Sequence, residues 1–147
     1  MTRRTFFIVD DDPSVRRILY NIIEEESLGI AAGEAEDGRQ AENRVLQAGP
    51  DIVLIDLLLP DQDGIQTILR LRQRGFGGQF IMISQVSEST LISQAYQTGI
   101  EFFIHKPLNR LEIVSVVKKV LESLDLHETI ERVRTSVGVR GAASEVT

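Results

Sequence analysis

The chain has 147 residues, an apolar share of 42%, a charged share of 26% and a formal net charge of −6. These values are typical of one globular domain with a single core and a short appendage. Cysteine is absent, which excludes a disulfide framework and a thiolate metal site. The apolar runs fall short of the roughly 18 residues of a membrane span. We therefore expect a cytoplasmic protein with no membrane partner.

The basic residues do not form a nucleic-acid surface in the sequence. Arg70, Arg72 and Arg74 lie close together, but no aromatic residues are interleaved with them. Proteins that bind nucleic acids normally cluster Lys and Arg on one face. We interpret these arginines as a solvated helix face and expect no direct nucleic acid binding by this chain.

The first third of the chain predicts two strand–helix pairs. A buried strand is expected at 5–10, and Pro13 then begins a helix for which Asp11 or Asp12 serves as the cap. Apolar residues recur in this helix at positions 15, 18, 19, 22 and 23, which is the spacing of an amphipathic stripe. A weak strand at 30–35 and a helix over 41–48, stopped by Gly49 and Pro50, follow.

The central stretch contains the strongest strand signal of the chain. Residues 52–56 are apolar without alternation and end in Asp56, as a parallel strand covered on both faces requires. A helix over 64–74, a strand at 80–84, a helix marked by residues 91–96, a strand at 100–105 and a long helix from 109 complete the pattern. Five strand–helix pairs predict a parallel, doubly wound α/β sandwich.

The apolar spacing of the last helix changes phase. Val117, Leu121 and Leu124 form one stripe, and a second stripe starts at Leu126 and runs to Val137. A helix packed on a single core should keep one face, so the second stripe indicates another partner, such as a second copy or a following domain. A frayed extension with incidental apolar residues is the alternative. We expect a main domain over 1–124, a helical extension or linker helix over 125–137 and a flexible tail over 138–147.

Acidic and polar groups fall at the carboxyl ends of the predicted strands, where open α/β sheets place their functional crevice. They are Asp10 to Asp12, Asp56, Ser84 and Lys106. If the first and third strands are neighbours, Asp10, Asp11 and Asp56 converge, and their repulsion calls for a cation. Oxygen ligands alone suit Mg²⁺ or Mn²⁺. Simple helix capping by the aspartates remains the alternative.

A metal at this position predicts phosphoryl chemistry. Asp56 would be the nucleophile that forms an acyl phosphate, and Lys106 would supply a compact positive charge to a phosphoryl oxygen. The Ser84 hydroxyl would donate a hydrogen bond to another oxygen. Each of these residues alone is an ordinary surface or strand-end group, and their joint order along the chain is what favours the prediction.

Four segments resemble bacterial response-regulator receiver domains. They are residues 7–19, the run 56–64 from Asp56 through Pro60 to Gly64, the strand ending in Ser84, and Lys106-Pro107. The resemblance covers about residues 5–124. A finer one, to receivers of glutamine-responsive transcriptional regulators, lies in residues 83–87 and 101–110, and it would imply a DNA-binding domain in the parent protein.

The resemblance implies a flavodoxin-like (βα)5 fold with strand order 2-1-3-4-5 and a phospho-accepting switch rather than an enzyme on external substrates. A sensor histidine kinase or phosphotransfer protein would phosphorylate Asp56, and the chain would catalyse only its own phosphorylation and dephosphorylation. Asp11 would be a direct metal ligand, Asp10 a ligand through water, and the Leu58 carbonyl another ligand.

The resemblance also implies how the signal leaves the domain. Ser84 and Phe103 would be the switch residues, and the fourth helix, fifth strand and fifth helix the output face. A homodimer through this face or through the C-terminal helix is a further expectation. Gln85, Leu58 and Val86 depart from the family pattern, and we expect narrowed phosphoryl access and slow loss of phosphate from Asp56. Phe103 lacks the hydroxyl of the commoner tyrosine.

Other classes fit less well. Asp10-Asp-Asp-Pro-Ser14 matches the first motif of haloacid-dehalogenase-like phosphatases, but no later acidic pair follows Ser84. A flavodoxin phosphate loop would be repelled by the three aspartates. A degenerate receiver that serves as a phosphorylation-independent docking module remains an alternative, although every expected phospho-site group is present.

Overall fold

The computed structural model describes the backbone of residues 3–146 and the side chains of residues 3–137. The described chain contains five strands and five helices in strict alternation, as the sequence predicted. They are β1 (Thr5–Val9), α1 (Pro13–Glu25), β2 (Ile30–Ala35), α2 (Gly38–Ala48), β3 (Ile52–Ile55), α3 (Gly64–Gln73), β4 (Gln79–Ser84), α4 (Ser89–Gln97), β5 (Phe102–His105) and α5 (Arg110–Val146).

The five strands form one parallel sheet in the order β2-β1-β3-β4-β5, which confirms the predicted fold class. β1 lies beside β3 in the register Phe6 to Ile52 and Val9 to Ile55. The strand order reverses between β1 and β3, and both strands end at the same edge of the sheet. An open α/β sheet of this kind has its crevice at that edge.

Strand β3 shows why the sheet is buried on both faces. All four of its residues are buried, and successive strand residues point to opposite faces. Val53 and Ile55 belong to one apolar layer, with residues of α2, α3 and α4. Ile52 and Leu54 belong to the other, with residues of α1 and α5. The unbroken apolar run in the sequence therefore corresponds to two cores, one on each side of the sheet.

Gly64 lets α3 begin against the end of β3. A Cβ at Gly64 would overlap the backbone carbonyl oxygen of Asp56, and the Gly64 N–H donates to the Leu57 carbonyl at 2.7 Å. Asp63 caps the helix by accepting a hydrogen bond from the Gln66 N–H. The loop after Asp56 is therefore held tightly at both of its ends.

Helix α5 continues as one helix from Arg110 to Val146, so the backbone is helical where the sequence predicted a tail after 137. An internal glycine costs a helix only about 1 kcal/mol relative to alanine, and Gly138 does not end this one. Flexibility of 138–147 stays a prediction, because those side chains and residue 147 lie outside the described part of the chain. Among residues 3–146, no helix has the length and apolarity to cross a membrane.

Candidate functional site

Three carboxylates converge at the carboxyl edge of the sheet. Asp10 and Asp56 are the first residues after β1 and β3, and both are buried, whereas Asp11 is exposed. One oxygen from each of the three lies within 4.8 Å of the others. Asp11 and Asp56 border an open cleft of about 530 Å³ that Leu58, Gln85 and Lys106 also line. The predicted convergence is thus present in the structure.

The three consecutive aspartates have different environments. Asp12 is the N-cap of α1, since its Oδ1 accepts from the Ser14 N–H at 2.8 Å. The Asp10 Oδ1 accepts from the Asp12 N–H at 2.9 Å, which turns the chain so that Asp11 reaches the cleft. Helix capping therefore explains Asp12 and does not explain Asp10 or Asp11.

Lys106 joins the two buried carboxylates. Its Nζ donates to Asp56 Oδ2 at 2.7 Å and to Asp10 Oδ2 at 2.9 Å. The loop from β5 carries Lys106 to this position, and the Lys106-Pro107 peptide bond is cis. The other oxygen of Asp56, Oδ1, accepts from the Leu58 N–H at 3.0 Å. Asp56 is therefore oriented by contacts through both of its oxygens.

Burial and hydrogen bonding shift the pKa values of Asp10 and Lys106 in opposite directions. Burial raises the pKa of Asp10, and the neighbouring Asp56 raises it further, although the hydrogen bonds from Asp12 and Lys106 work in the other direction. Burial lowers the pKa of Lys106, but its hydrogen bonds to Asp56 and Asp10 outweigh that effect and leave the pKa raised. Lys106 therefore remains a cation at neutral pH.

The cluster is suited to a divalent cation. Three ionised carboxylates and one ammonium group carry −3 + 1 = −2 charges, so an uncompensated negative charge remains. The donors are carboxylate oxygens, and no sulfur or imidazole group belongs to the described cluster. Oxygen donors of this type match the preference of Mg²⁺ and Mn²⁺.

Ser84 and Phe103 lie close to the same edge but are not bound to the carboxylates. Ser84 ends β4 and is fully buried, and its Oγ accepts a hydrogen bond of 3.4 Å from the Val86 N–H. Phe103 in β5 is buried, with its ring centroid 5.0 Å from that of His105. The structure thus shows where both residues lie and does not test their predicted roles in switching.

Sequence reasoning missed two residues that hold the surroundings of the site in place. Asp61, in the loop after β3, accepts hydrogen bonds from the Gly38 and Arg39 N–H groups at 2.8 and 2.9 Å. The Tyr96 hydroxyl accepts from the Phe103 N–H at 3.0 Å and so joins α4 to β5. Both contacts connect separate elements and leave no periodic signal in the sequence.

The family model of the response regulator receiver domain matches residues 6–118. This chain therefore belongs to the response regulator receiver domains, which are signalling domains of two-component systems and not enzymes in the usual sense. The membership excludes the haloacid-dehalogenase-like and flavodoxin interpretations.

Two curated relatives illustrate how the similarity is distributed. The transcriptional regulatory protein GlnL of Bacillus subtilis is 52% identical over 133 residues, which are 90% of this chain and 42% of that protein. This match agrees with the finer resemblance to glutamine-responsive regulators. The chemotaxis protein CheY of the same organism is 30% identical over 114 residues, 78% of this chain and 94% of that protein. The chain thus spans less than half of the length of GlnL and nearly all of CheY.

Solved structures agree with the family. A two-component response regulator of the LuxR family from Aurantimonas sp. SI85-9A1 superposes with a TM-score of 0.76 at 25% identity, covering 83% of this chain and 87% of that one. A complex of CheX, CheY, BeF3 and Mg from Borrelia burgdorferi gives a TM-score of 0.76 at 28% identity, covering 82% and 90%.

Proposed function

We propose that this chain is a phospho-accepting switch in which Asp56 receives a phosphoryl group from the phosphohistidine of a sensor histidine kinase or phosphotransfer protein. The observation that carries the proposal is the Asp56 carboxylate, which borders an open cleft, lies 2.7 Å from an ammonium group and has two further carboxylates within 4.8 Å. The cytoplasm, where such kinases present their phosphohistidine, is the proposed location.

The transfer is a displacement at phosphorus. An oxygen of the Asp56 carboxylate forms a bond to phosphorus while the phosphorus–nitrogen bond of the phosphohistidine breaks. The bonding electrons go to the imidazole nitrogen, which takes up a proton. Lys106 lies on the Oδ2 side of Asp56, where its fixed positive charge stabilises the negative charge that collects on the phosphoryl oxygens. The chain thereby catalyses its own phosphorylation.

A magnesium or manganese ion belongs to this proposal as the cofactor. Asp11, Asp56 and the Leu58 carbonyl would hold it directly, and Asp10 would hold it through water. When bound, the ion supplies positive charge to the phosphoryl oxygens. The Borrelia burgdorferi complex contains Mg together with BeF3, which supports the same chemistry here.

The response to phosphorylation is proposed to pass through Ser84 and Phe103 to the surface of α4, β5 and α5. Ser84 is the last residue of β4, which is adjacent to β3, and Phe103 belongs to β5, one strand further. A new group on Asp56 therefore has a short path to both residues. The relative GlnL is a transcriptional regulatory protein. We infer that the output is control of transcription through a domain or partner outside this chain.

Phosphate should leave Asp56 slowly. Leu58 and Gln85 line the cleft, and Val86 follows directly; the apolar Leu58 and Val86 offer no polar group to orient a hydrolytic water. The half-life of the acyl phosphate on the wild-type chain, measured by intact mass after removal of the donor, should be longer than that on a Leu58→Asn variant. An equal or shorter half-life in the wild-type chain would contradict this expectation.

Phosphoramidate, which carries a phosphorus–nitrogen bond like that of phosphohistidine, tests the proposed transfer. The expected product is a hydroxylamine-labile acyl phosphate on the peptide that contains Asp56. A stable, correctly folded chain that acquires no such group would instead support the phosphorylation-independent docking module, and Gln85→Ala would then show whether the glutamine blocks access.

A further inference from the structure

The C-terminal part of α5 carries an exposed apolar stripe, which we define as Leu126, Ile130, Val133 and Val137. Their exposed fractions are 62%, 43%, 59% and 62%. Singly exposed apolar side chains are ordinary on protein surfaces, but these four are spaced by four, three and four residues. That spacing aligns them along a single line on the helix.

The stripe does not belong to the face that α5 uses against its own domain. Val117 and Val120 are buried, and Leu124 packs against the same apolar layer. At 3.6 residues per turn, the stripe lies about 135° around the helix from this inner face. Continued packing on the sheet therefore cannot cover it.

Arg4 fixes the rotation of the helix where the stripe begins. Its guanidinium donates hydrogen bonds of 2.9 Å to both Asp125 and Glu128, and it lies 3.7 Å from Asp51 as well. Asp125 and Glu128 occupy a face about 140° from the stripe. The side of the extension that meets Arg4 is thus charged, and the apolar stripe points away from it.

We propose that residues 122–137 pair with the same segment of a second copy of this chain as a parallel, two-stranded coiled coil. Alternating steps of four and three residues give the 3.5-residue repeat of such structures. Leu126 and Val133 then occupy d positions, and Ile130 and Val137 occupy a positions. β-Branched residues at a with leucine at d favour two strands, and only the Val133 position departs from this rule.

Charges beside the stripe favour a second copy in parallel orientation. In this register, Glu122 is a g position and His127 the e position five residues further on, so each Glu122 faces His127 of the other copy. An antiparallel pair with the same a and d contacts would bring His127 next to Arg134 of the other copy instead. The parallel arrangement therefore places a carboxylate, rather than the Arg134 guanidinium, beside each His127 imidazole.

The extent of the stripe indicates weak association. Two heptads present less apolar surface than the roughly 1,200–2,000 Å² that stable complexes bury, and isolated short helices are marginal. We expect the 147-residue chain to be mostly monomeric at about 10 μM and to dimerise on approach to about 500 μM. This inference does not depend on the phosphorylation of Asp56.

Sedimentation velocity of the full chain tests the association. The wild-type chain should shift towards dimer mass with concentration, and Ile130→Glu should abolish the shift by placing a charge in the seam. Thr135→Glu is the matched control, because it adds the same charge to the same helix on an exposed position outside the stripe. A monomer at every concentration, or a dimer that Ile130→Glu leaves intact, would overturn the proposal.

Cysteine cross-linking tests the orientation, and the natural chain contributes no cysteine of its own. In the parallel dimer Leu126 faces Leu126 of the other copy, so Leu126→Cys should form a disulfide-linked dimer under mild oxidation, whereas Thr135→Cys should not. Cross-links that form only when Leu126→Cys and Val137→Cys chains are mixed would indicate antiparallel pairing and overturn the proposed arrangement.

Phosphoramidate labelling of Asp56 should be unchanged in Ile130→Glu, which separates the test of the dimer from that of the proposed function.

Discussion

The ammonium group of Lys106 is shared by two buried carboxylates at 2.7 and 2.9 Å. Asp10 and Asp56 face each other at short range, and like charges in such positions destabilise the fold unless a cation lies between them. A buried charge that loses its partner costs more free energy than the pair contributes. Lys106 therefore has a role in stability that is separate from its proposed role in phosphoryl transfer.

Lys106→Met should lower the free energy of unfolding by about 1–3 kcal/mol at neutral pH without divalent cations, because it removes the counter-charge but keeps the length of the side chain. Urea unfolding measures this difference. Mg²⁺ should restore part of the loss by supplying charge to the same carboxylates. Lys118→Met, at an exposed position of α5, is the control, and equal stability of the Lys106 and Lys118 variants would refute the expected role.

The Tyr96 hydroxyl connects two elements of the fold. The Phe103 N–H belongs to β5, the edge strand of the sheet, and it donates to this hydroxyl at 3.0 Å. Edge strands present backbone groups that no neighbouring strand pairs. Tyr96 is therefore a direct link between α4 and the strand that carries Phe103.

Tyr96→Phe should weaken the attachment of α4 to β5, since a hydrogen bond of this kind contributes about 0.5–1.5 kcal/mol. The Phe103 amide should then exchange its hydrogen about 2- to 10-fold faster in native-state hydrogen exchange, while amides of β1 and β3 keep their rates. Tyr20→Phe on α1 is the matched control, because the chain has two tyrosines and both are about half exposed. An unchanged rate at Phe103 would show that the link has no effect on stability.

The loop between β3 and α3 is attached to the start of α2. Asp61 accepts two backbone N–H groups there, at Gly38 and Arg39, and Leu58 in the same loop lines the cleft. Its slight burial tends to raise the pKa of Asp61, but the backbone hydrogen bonds from Gly38, Arg39 and Gln62 outweigh that effect and lower it. The contact is thus strongest when Asp61 is ionised.

Asp61→Asn should destabilise the chain by about 1 kcal/mol at pH 7, as the loss of a capping carboxylate usually does. Because the folded pKa lies below the ordinary value of 3.8, the stabilisation is complete above that value and disappears as the pH falls through the folded pKa. Urea unfolding from pH 7 to pH 3 should show the two chains converging at the acidic end. Parallel curves for the wild-type chain and Asp61→Asn would contradict the prediction.

The elements that could be predicted are those with a local signal. The unbroken apolar run of β3, the 3.6-residue stripe of α1 and the Pro13 start with its aspartate cap all depend on residues close in sequence. Parallel pairing then places Asp10 and Asp56 at one edge, because both end strands that are neighbours. The change of phase in the apolar spacing after Leu124 could also be predicted from the sequence, since it is a property of one helix.

Contacts between distant segments could not be predicted in the same way. Arg4 meets Asp125 and Glu128 across more than 120 residues, and Asp61 meets Gly38 across 23. These hydrogen bonds depend on where separate elements lie in the folded chain, and they follow neither helical nor strand periodicity.

The whole molecule joins a sheet buried on both faces to a cleft at its carboxyl edge and an extended helix on one side. The two apolar layers fix the strands, and the strands fix the separation of Asp10, Asp11 and Asp56. The site is therefore formed where the buried strands β1 and β3 end, whereas the proposed output surfaces of α4, β5 and α5 lie further from it.

The measurement that tests the central claim most directly is the intact mass of the chain after incubation with acetyl phosphate and Mg²⁺. We predict one phosphoryl adduct per chain. The adduct should not form when a chelator removes the metal before the incubation, and it should be absent in Asp56→Asn under the same conditions. Asp12→Asn, which keeps a side chain suited to capping α1, should acquire the adduct like the wild type. A folded wild-type chain without an adduct, or an adduct that persists in Asp56→Asn, would contradict the assignment of this chain as a switch phosphorylated on Asp56.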